Sequence, residues 1–234
     1  AKDNLICDSS YDTTATWGGL SDFGYQVVNE MNRVGIMIDI SHVSDNAFYD
    51  VMKTTKAPAI ASHSSCRVFT PGFERNMNDS MIKTLADNGG VIQINFGSSF
   101  LTQTSRDKRD ENSIKIAEFS EKNGYNIEDK EMIEFSKKVQ EENPIYADVT
   151  DVVDHIDHVV KIAGIDHVAF GSDFDGVGDT LPYGLKDVSQ FPNLIFHLLK
   201  RGYSEQDIQK ICYKNIWRVW NEVDEIANSL QNGS

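Results

Sequence analysis

Short apolar runs alternate along this chain with stretches of helical periodicity, and that alternation limits the possible folds more than any other feature. Ile36-Met37-Ile38-Asp39-Ile40, Ala59-Ile60-Ala61-Ser62, Val91-Ile92-Gln93-Ile94-Asn95-Phe96 and His167-Val168-Ala169-Phe170-Gly171 are too short for helices and nearly continuous in apolar residues. Such runs read as strands buried on both faces of a parallel sheet. Helical spacing fills the intervals. Phe23, Val27, Val28 and Met31 recur over 21–32, with Gly35 as the stop signal. Ser44 is an N-cap for a helix through Ala47, Phe48, Val51 and Met52, and helices are expected over 79–87 and 149–163. Strand, helix and strand in repeated succession make an α/β chain with a parallel sheet and right-handed crossovers.

Two regions stand outside this rhythm. The first 20 residues, rich in Asp, Ser, Thr and Gly, read as irregular. Residues 101–147 are dense in Lys, Glu and Asp, with weak helical pattern at 114–122 and 131–141. This charged helical insertion reads first as a solvated excursion and second as a lid beside a strand end. Farther on, Ser204-x-x-Asp207 has the form of a capping box. Trp217 and Trp220 on the following helix read as core or as a subunit interface, which allows a homodimer.

Composition excludes several classes of function. Asp and Glu number 36 against 22 Lys and Arg, a net charge of −14, so nucleic acid is not a main partner. No apolar run approaches the roughly 20 residues of a membrane-spanning helix. Cys7, Cys66 and Cys212 are odd in number and widely spaced, which reads as reduced thiols rather than a disulfide framework. A leader peptide would lie upstream of Ala1, so these residues place the chain neither inside nor outside a cell.

Three chemically capable side chains share one structural address. His42, His63 and Asp173 each follow an expected strand, and parallel strands open their C-terminal ends on one face, where α/β enzymes build their sites. His42 and His63 lie one helix and one turn apart, on strands expected to be neighbours. Their imidazoles are thus placed to ligate one metal or two neighbouring metals, and neutral imidazole suits zinc and similar ions. Asp173, in Gly171-Ser172-Asp173-Phe174-Asp175-Gly176, is placed to take a proton from a metal-bound water. Arg75, in the loop after the His63 strand, is a candidate grip for a substrate carboxylate. His155 and His158 mimic a metal motif, but their helix precedes its strand and points away from that face, so both read as structural.

These segments in this order resemble the membrane dipeptidase (renal dipeptidase) family of zinc peptidases. The resemblance rests on Gly35-Ile36-Met37-Ile38-Asp39-Ile40-Ser41-His42-Val43-Ser44, Pro58-Ala59-Ile60-Ala61-Ser62-His63-Ser64-Ser65, Arg75-Asn76 and Gly171-Ser172-Asp173-Phe174-Asp175-Gly176. It covers nearly the whole chain except 101–147. It implies a (β/α)8 TIM barrel of the amidohydrolase type with two zinc ions at its C-terminal face. It further implies that His42 and His63 are ligands of one zinc, that Arg75 binds the substrate carboxylate, and that Asp173 handles a proton or the substrate's amino group. The implied reaction is hydrolysis of a dipeptide by a metal-activated water.

The chain also departs from that pattern. No His-x-Asp precedes His42, and no histidine lies before position 42. About four strands are expected where a barrel closes with eight. Residues 1–234 therefore read as the C-terminal portion of one dipeptidase-like barrel domain, competent only with a missing N-terminal half. Two other readings use the same residues: a different metal-dependent amidohydrolase of deaminase or lactonase type, and a catalytically silent scaffold that keeps the fold.

Overall fold

The structure, a computed structural model, describes residues 2–233. Strands β1 (Ile60–Ser64), β2 (Val91–Ile94) and β3 (Val168–Phe170) pair in parallel in the order β1-β2-β3. Each crossover runs through helix, as the alternation of patterns requires. Helices α1 (Asp22–Val34) and α2 (Asp45–Thr54) precede β1, α3 (Asp79–Asp87) joins β1 to β2, and α7 (Val149–Ala163) leads into β3.

The expected strand over 36–40 is reduced to one parallel bridge between Asp39 and Ile60. Two backbone hydrogen bonds hold it beside β1, from Ile40 N to Ile60 O at 2.8 Å and from Ile60 N to Ile38 O at 2.9 Å. Ile38 and Ile40 are buried, yet Ile36 is 54% exposed, because no further strand flanks this edge among the described residues. The sheet is thus open, with β3 and the 38–40 segment at its two edges, and four extended segments lie where four were expected. The side chains explain the rest of the core. Val91, Ile92, Ile94 and Val168 are fully buried, and Val152, Val153, Ile156 and Val159 of α7 cover one side. Burying each such side chain contributes roughly 1.5–3 kcal/mol.

Capping chemistry sets the helix ends. Ser21, Ser44 and Asn78 accept backbone N–H groups at the starts of α1, α2 and α3, and Asp148 and Asp151 form a capping box on α7. Gly35 ends α1 in the left-handed region at φ 78°. After α8 (Phe191–Lys200), the capping box at Ser204 and Asp207 opens α9 (Glu205–Gln209), which continues through a π-helical turn into α10 (Asn215–Asn232). On α10, Trp217 and Trp220 are 61% and 54% exposed, so they are not core residues of this chain.

Within 101–147 the helices are longer than the apolar pattern suggests. A short α4 (Ser98–Leu101) is followed by α5 (Gln103–Asn123) and α6 (Lys130–Glu142). Only Ser105 and Asn112 of α5 are buried, and polar contacts tie it to the segment after α6. Asn112 donates to Asn143 O at 3.0 Å and Lys108 to Pro144 O at 3.0 Å. No helix of the described residues is long and apolar enough to cross a membrane.

Candidate active site

His42, His63 and Asp173 meet at one cavity of about 260 Å³, lined also by Tyr11, Phe100 and Arg109. Each reaches it by a local irregularity of the backbone. His42 follows the 38–40 segment with φ 74°, and Asp173 follows β3 with φ 59°; they are the non-glycine residues in the left-handed region among those described. Such backbone costs on the order of 1–3 kcal/mol and persists where surroundings enforce it. The irregular N-terminal segment enforces it at His42, whose carbonyl accepts from Ser10 N at 2.9 Å and from Ser10 Oγ at 3.2 Å. At Asp173 the carbonyl accepts from Gly176 N and Val177 N, closing a tight turn.

His63 is aimed differently. It lies inside β1, where the pairing with β2 slips: Ala61 faces Ile92 but Ser64 faces Ile94. The extra residue is a bulge, which turns a side chain out of the regular alternation. Gly171 at the end of β3 lets the backbones close up around it, since a Cβ there would meet Ser62 O and Gln93 O at 2.5 Å.

The two imidazoles face each other, with Nε2 to Nε2 at 2.8 Å. Their hydrogen bonds form a directed chain. Arg75 Nε donates to His42 Nδ1 at 3.2 Å, which leaves the His42 proton on Nε2, directed at His63 Nε2. His63 therefore carries its proton on Nδ1 and donates it to Ser62 Oγ at 2.6 Å, and Ser62 Oγ donates to Asp39 Oδ2 at 2.5 Å. Partial burial, together with the Arg75 guanidinium, pushes the His42 pKa down to about 4 and lowers that of His63, so both rings are neutral at pH 7.

Arg75 itself lies behind the histidines. It is 3% exposed, and it donates from Nη1 to Ser64 Oγ at 2.7 Å and from Nη2 to His63 O at 2.8 Å. Burial lowers its pKa, the Tyr11 hydroxyl lies beside it, and its guanidinium approaches the Phe100 ring at 5.5 Å. A loop arginine expected near substrate is thus a buried residue against His42. Asp173 is half-buried, and its Oδ2 accepts from Asn95 Nδ2 at 2.9 Å. Asn95, which follows β2, has the same strand-end address as the histidines, a signal the sequence carried within an expected strand. Tyr11, Asp39 and Arg109 gave no comparable signal.

His155 and His158 stay away from this cavity. His155 is fully buried, accepts from Cys66 N at 2.9 Å through Nδ1 and donates to Leu101 O at 2.9 Å, while His158 meets Asp79 at 2.8 Å. The three cysteines are free, Cys66 buried and Cys212 exposed.

The donor set suits a metal in part. Two neutral imidazoles present Nε2 atoms to one point, and the His63 ring is oriented by a hydroxyl and a carboxylate, an arrangement that raises ligand basicity. Among the described residues no group of three or more His, Cys, Asp or Glu could enclose an ion. The pair supplies two nitrogen donors, and no third His, Cys, Asp or Glu joins them among the described residues.

The family model of the membrane dipeptidases, peptidase family M19, matches residues 1–234. The chain belongs to the membrane dipeptidase family. An uncharacterized dipeptidase of Schizosaccharomyces pombe is 34% identical over 232 residues, which are 96% of this chain and 46% of that protein. The crystal structure of the probable dipeptidase PvdM from Pseudomonas aeruginosa superposes with a TM-score of 0.81 at 32% identity, covering 96% of this chain and 61% of that one. A metallo peptidase from Rhodobacter sphaeroides, liganded with a phosphinate mimic of the dipeptide L-Ala-D-Ala, gives a TM-score of 0.68 at 28% identity, with coverage of 89% and 48%. This dipeptidase-family chain thus has the α/β fold of metallopeptidases and spans about half the length of the relatives it matches.

Proposed function

We propose that this chain carries half of the active site of a zinc-dependent dipeptidase, read as the C-terminal part of a (β/α)8 barrel that closes when an N-terminal half is present. The observation that carries the reading is the pair His42 and His63, Nε2 to Nε2 at 2.8 Å, in one cavity with Asp173. In this reading the two histidines hold one of two zinc ions, and the other ligands come from the N-terminal half. Bound zinc supplies a Lewis acid and acidifies a water near neutral pH.

The residues of this chain do the remaining work. Asp173, held by Asn95, accepts the proton of the attacking water or pairs with the substrate's ammonium group. Arg75 donates one N–H of each Nη to Ser64 and to the His63 carbonyl; the second N–H of each receives the substrate carboxylate, and the Nε contact to His42 gives way when zinc takes that ring. Phe100 and Tyr11 wall the cavity.

The test uses the complete enzyme, purified with zinc and assayed on a panel of dipeptides. Two zinc ions per molecule, dipeptide hydrolysis, and loss of both zinc and activity in His42→Ala and His63→Ala are expected. Hydrolysis that survives full removal of metal overturns the reading, and so does a protein that binds neither zinc nor dipeptide. Activity on a lactone or an aminopurine but on no dipeptide, unaffected in Arg75→Ala, selects another amidohydrolase instead.

A further inference from the structure

Arg109 stands on the 101–147 insertion, yet its side chain lines the same cavity as His42, His63 and Asp173. Its placement is built. Thr102 caps α5 by accepting from Ser105 N at 3.1 Å, and Arg106, one turn before Arg109 on the same side, sits over the Phe73 ring at 3.8 Å. One turn later Asn112 locks α5 to Asn143 by two hydrogen bonds of 3.0 Å. From α6, Gln140 donates to Asp179 O at 3.1 Å, tying the insertion to the turn that follows Asp173.

The partners of Arg109 set it apart. Ser99 Oγ, at 3.4 Å, is a long hydrogen bond, and no carboxylate pairs with Arg109 among the described residues. In a chain of net charge −14, Arg33, Arg67, Arg201 and Arg218 each hold a carboxylate. The arginines without one are those around this cavity: Arg75 is held by His42, Ser64 and the His63 carbonyl and is assigned above to the substrate carboxylate, and Arg106 lies over an aromatic ring. Arg109 alone of these three lines the cavity with its guanidinium uncommitted.

If Asp173 takes the substrate's ammonium and Arg75 its carboxylate, a zwitterionic dipeptide leaves Arg109 without an anion. We propose that Arg109 reads an acidic side chain, so that the substrate class is dipeptides containing aspartate or glutamate. This rests on the dipeptidase reading above. A guanidinium and a carboxylate form charge-assisted, often bidentate hydrogen bonds, and an uncharged isostere keeps the shape but loses the charge.

The experiment compares matched pairs, Ala-Glu with Ala-Gln and Glu-Ala with Gln-Ala, on the complete zinc-loaded enzyme. For at least one pair kcat/KM is expected to favour the acidic member by about tenfold or more. Arg109→Met is expected to collapse that ratio towards one, and Arg109→Glu to invert preference in favour of a lysine-containing dipeptide. A wild-type ratio near one for both pairs overturns the proposal. Equal losses on acidic and neutral members in Arg109→Met also overturn it, since the residue would then hold a main-chain group or the fold. If no dipeptide is hydrolysed, the dipeptidase reading falls; calorimetric binding of the same pairs then decides separately, equal affinities overturning the role of Arg109.

Discussion

Arg75 donates through Nε to Nδ1 of His42 over 3.2 Å, and that bond determines which nitrogen of His42 carries the proton. With Nδ1 an acceptor, the proton lies on Nε2, the nitrogen that faces His63. A metal on His42 Nε2 needs the opposite tautomer, so metal binding and the Arg75 contact exclude each other. The guanidinium also repels a cation at that place. Arg75→Met is therefore expected to act in two directions. Zinc affinity, measured by competition with a chelator, rises by about tenfold, while dipeptide kcat/KM falls by at least about a hundredfold through loss of the carboxylate grip. Weaker zinc binding in the variant with an unchanged melting temperature would contradict the tautomer argument.

His63 is set the opposite way. Its Nδ1 donates to Ser62, and Ser62 to Asp39, which leaves Nε2 unprotonated and ready to ligate. Ser62 and Asp39 do not line the cavity and act through His63, as positioning residues. Loss of such support costs roughly 10–100-fold in metal affinity. Ser62→Ala and Asp39→Asn are each expected to weaken zinc binding in that range, read by metal titration. Ser62→Thr, which retains the hydroxyl, should restore most of it.

A glycine controls the aspartate. A Cβ at Gly176 would collide with the Asp173 carboxylate, while the Gly176 N–H donates to the Asp173 carbonyl at 3.0 Å. Gly176→Ala is expected to rotate that carboxylate off Asn95 and lower kcat by about a hundredfold, since small misplacements of a reacting group cost that much. The effect on the melting temperature should be small, because Gly176 is exposed. A variant with normal kcat would show that Asp173 tolerates another orientation.

Legibility in the sequence followed the physical origin of each element. Helices α3 and α7 were readable to the residue because apolar spacing and a capping side chain agree, at Asn78 and at Asp148. The first half of α5 was not, since its residues are polar all round and its stability comes from Thr102 and the distant Asn143. The strand over 36–40 was readable as extended chain, but its pairing depends on a neighbour, and only β1 offers one among the described residues. At the cavity, strand-end position marked His42, His63 and Asp173. Tyr11 and Arg109 arrive through tertiary placement of an irregular segment and an insertion, which no local pattern encodes. The burial of Arg75 was equally hidden, because its partners His42 and Ser64 lie on other segments.

The imidazole of His155 makes stability depend on pH. It is fully buried, and desolvation pushes its pKa down to about 4 from an ordinary value of 6.5. Both ring nitrogens are in use: Nδ1 accepts from Cys66 N and Nε2 donates to Leu101 O, so a second proton would face the Cys66 N–H. The unfolded chain binds that proton more readily than the folded one. Stability is then full above pH 6.5, falls as pH drops below 6.5, and stops falling on this account near pH 4. The difference between the two pKa values corresponds to roughly 3 kcal/mol across that window. Urea unfolding at pH 7.5 and pH 4.5 is expected to show a loss of at least this order in the parent protein, since His42 and His63 are shifted in the same direction. In His155→Gln, whose amide can both accept and donate but does not titrate, the loss should be clearly smaller even though its stability at pH 7.5 is lower. Equal losses in the two proteins would assign the acid sensitivity to other groups.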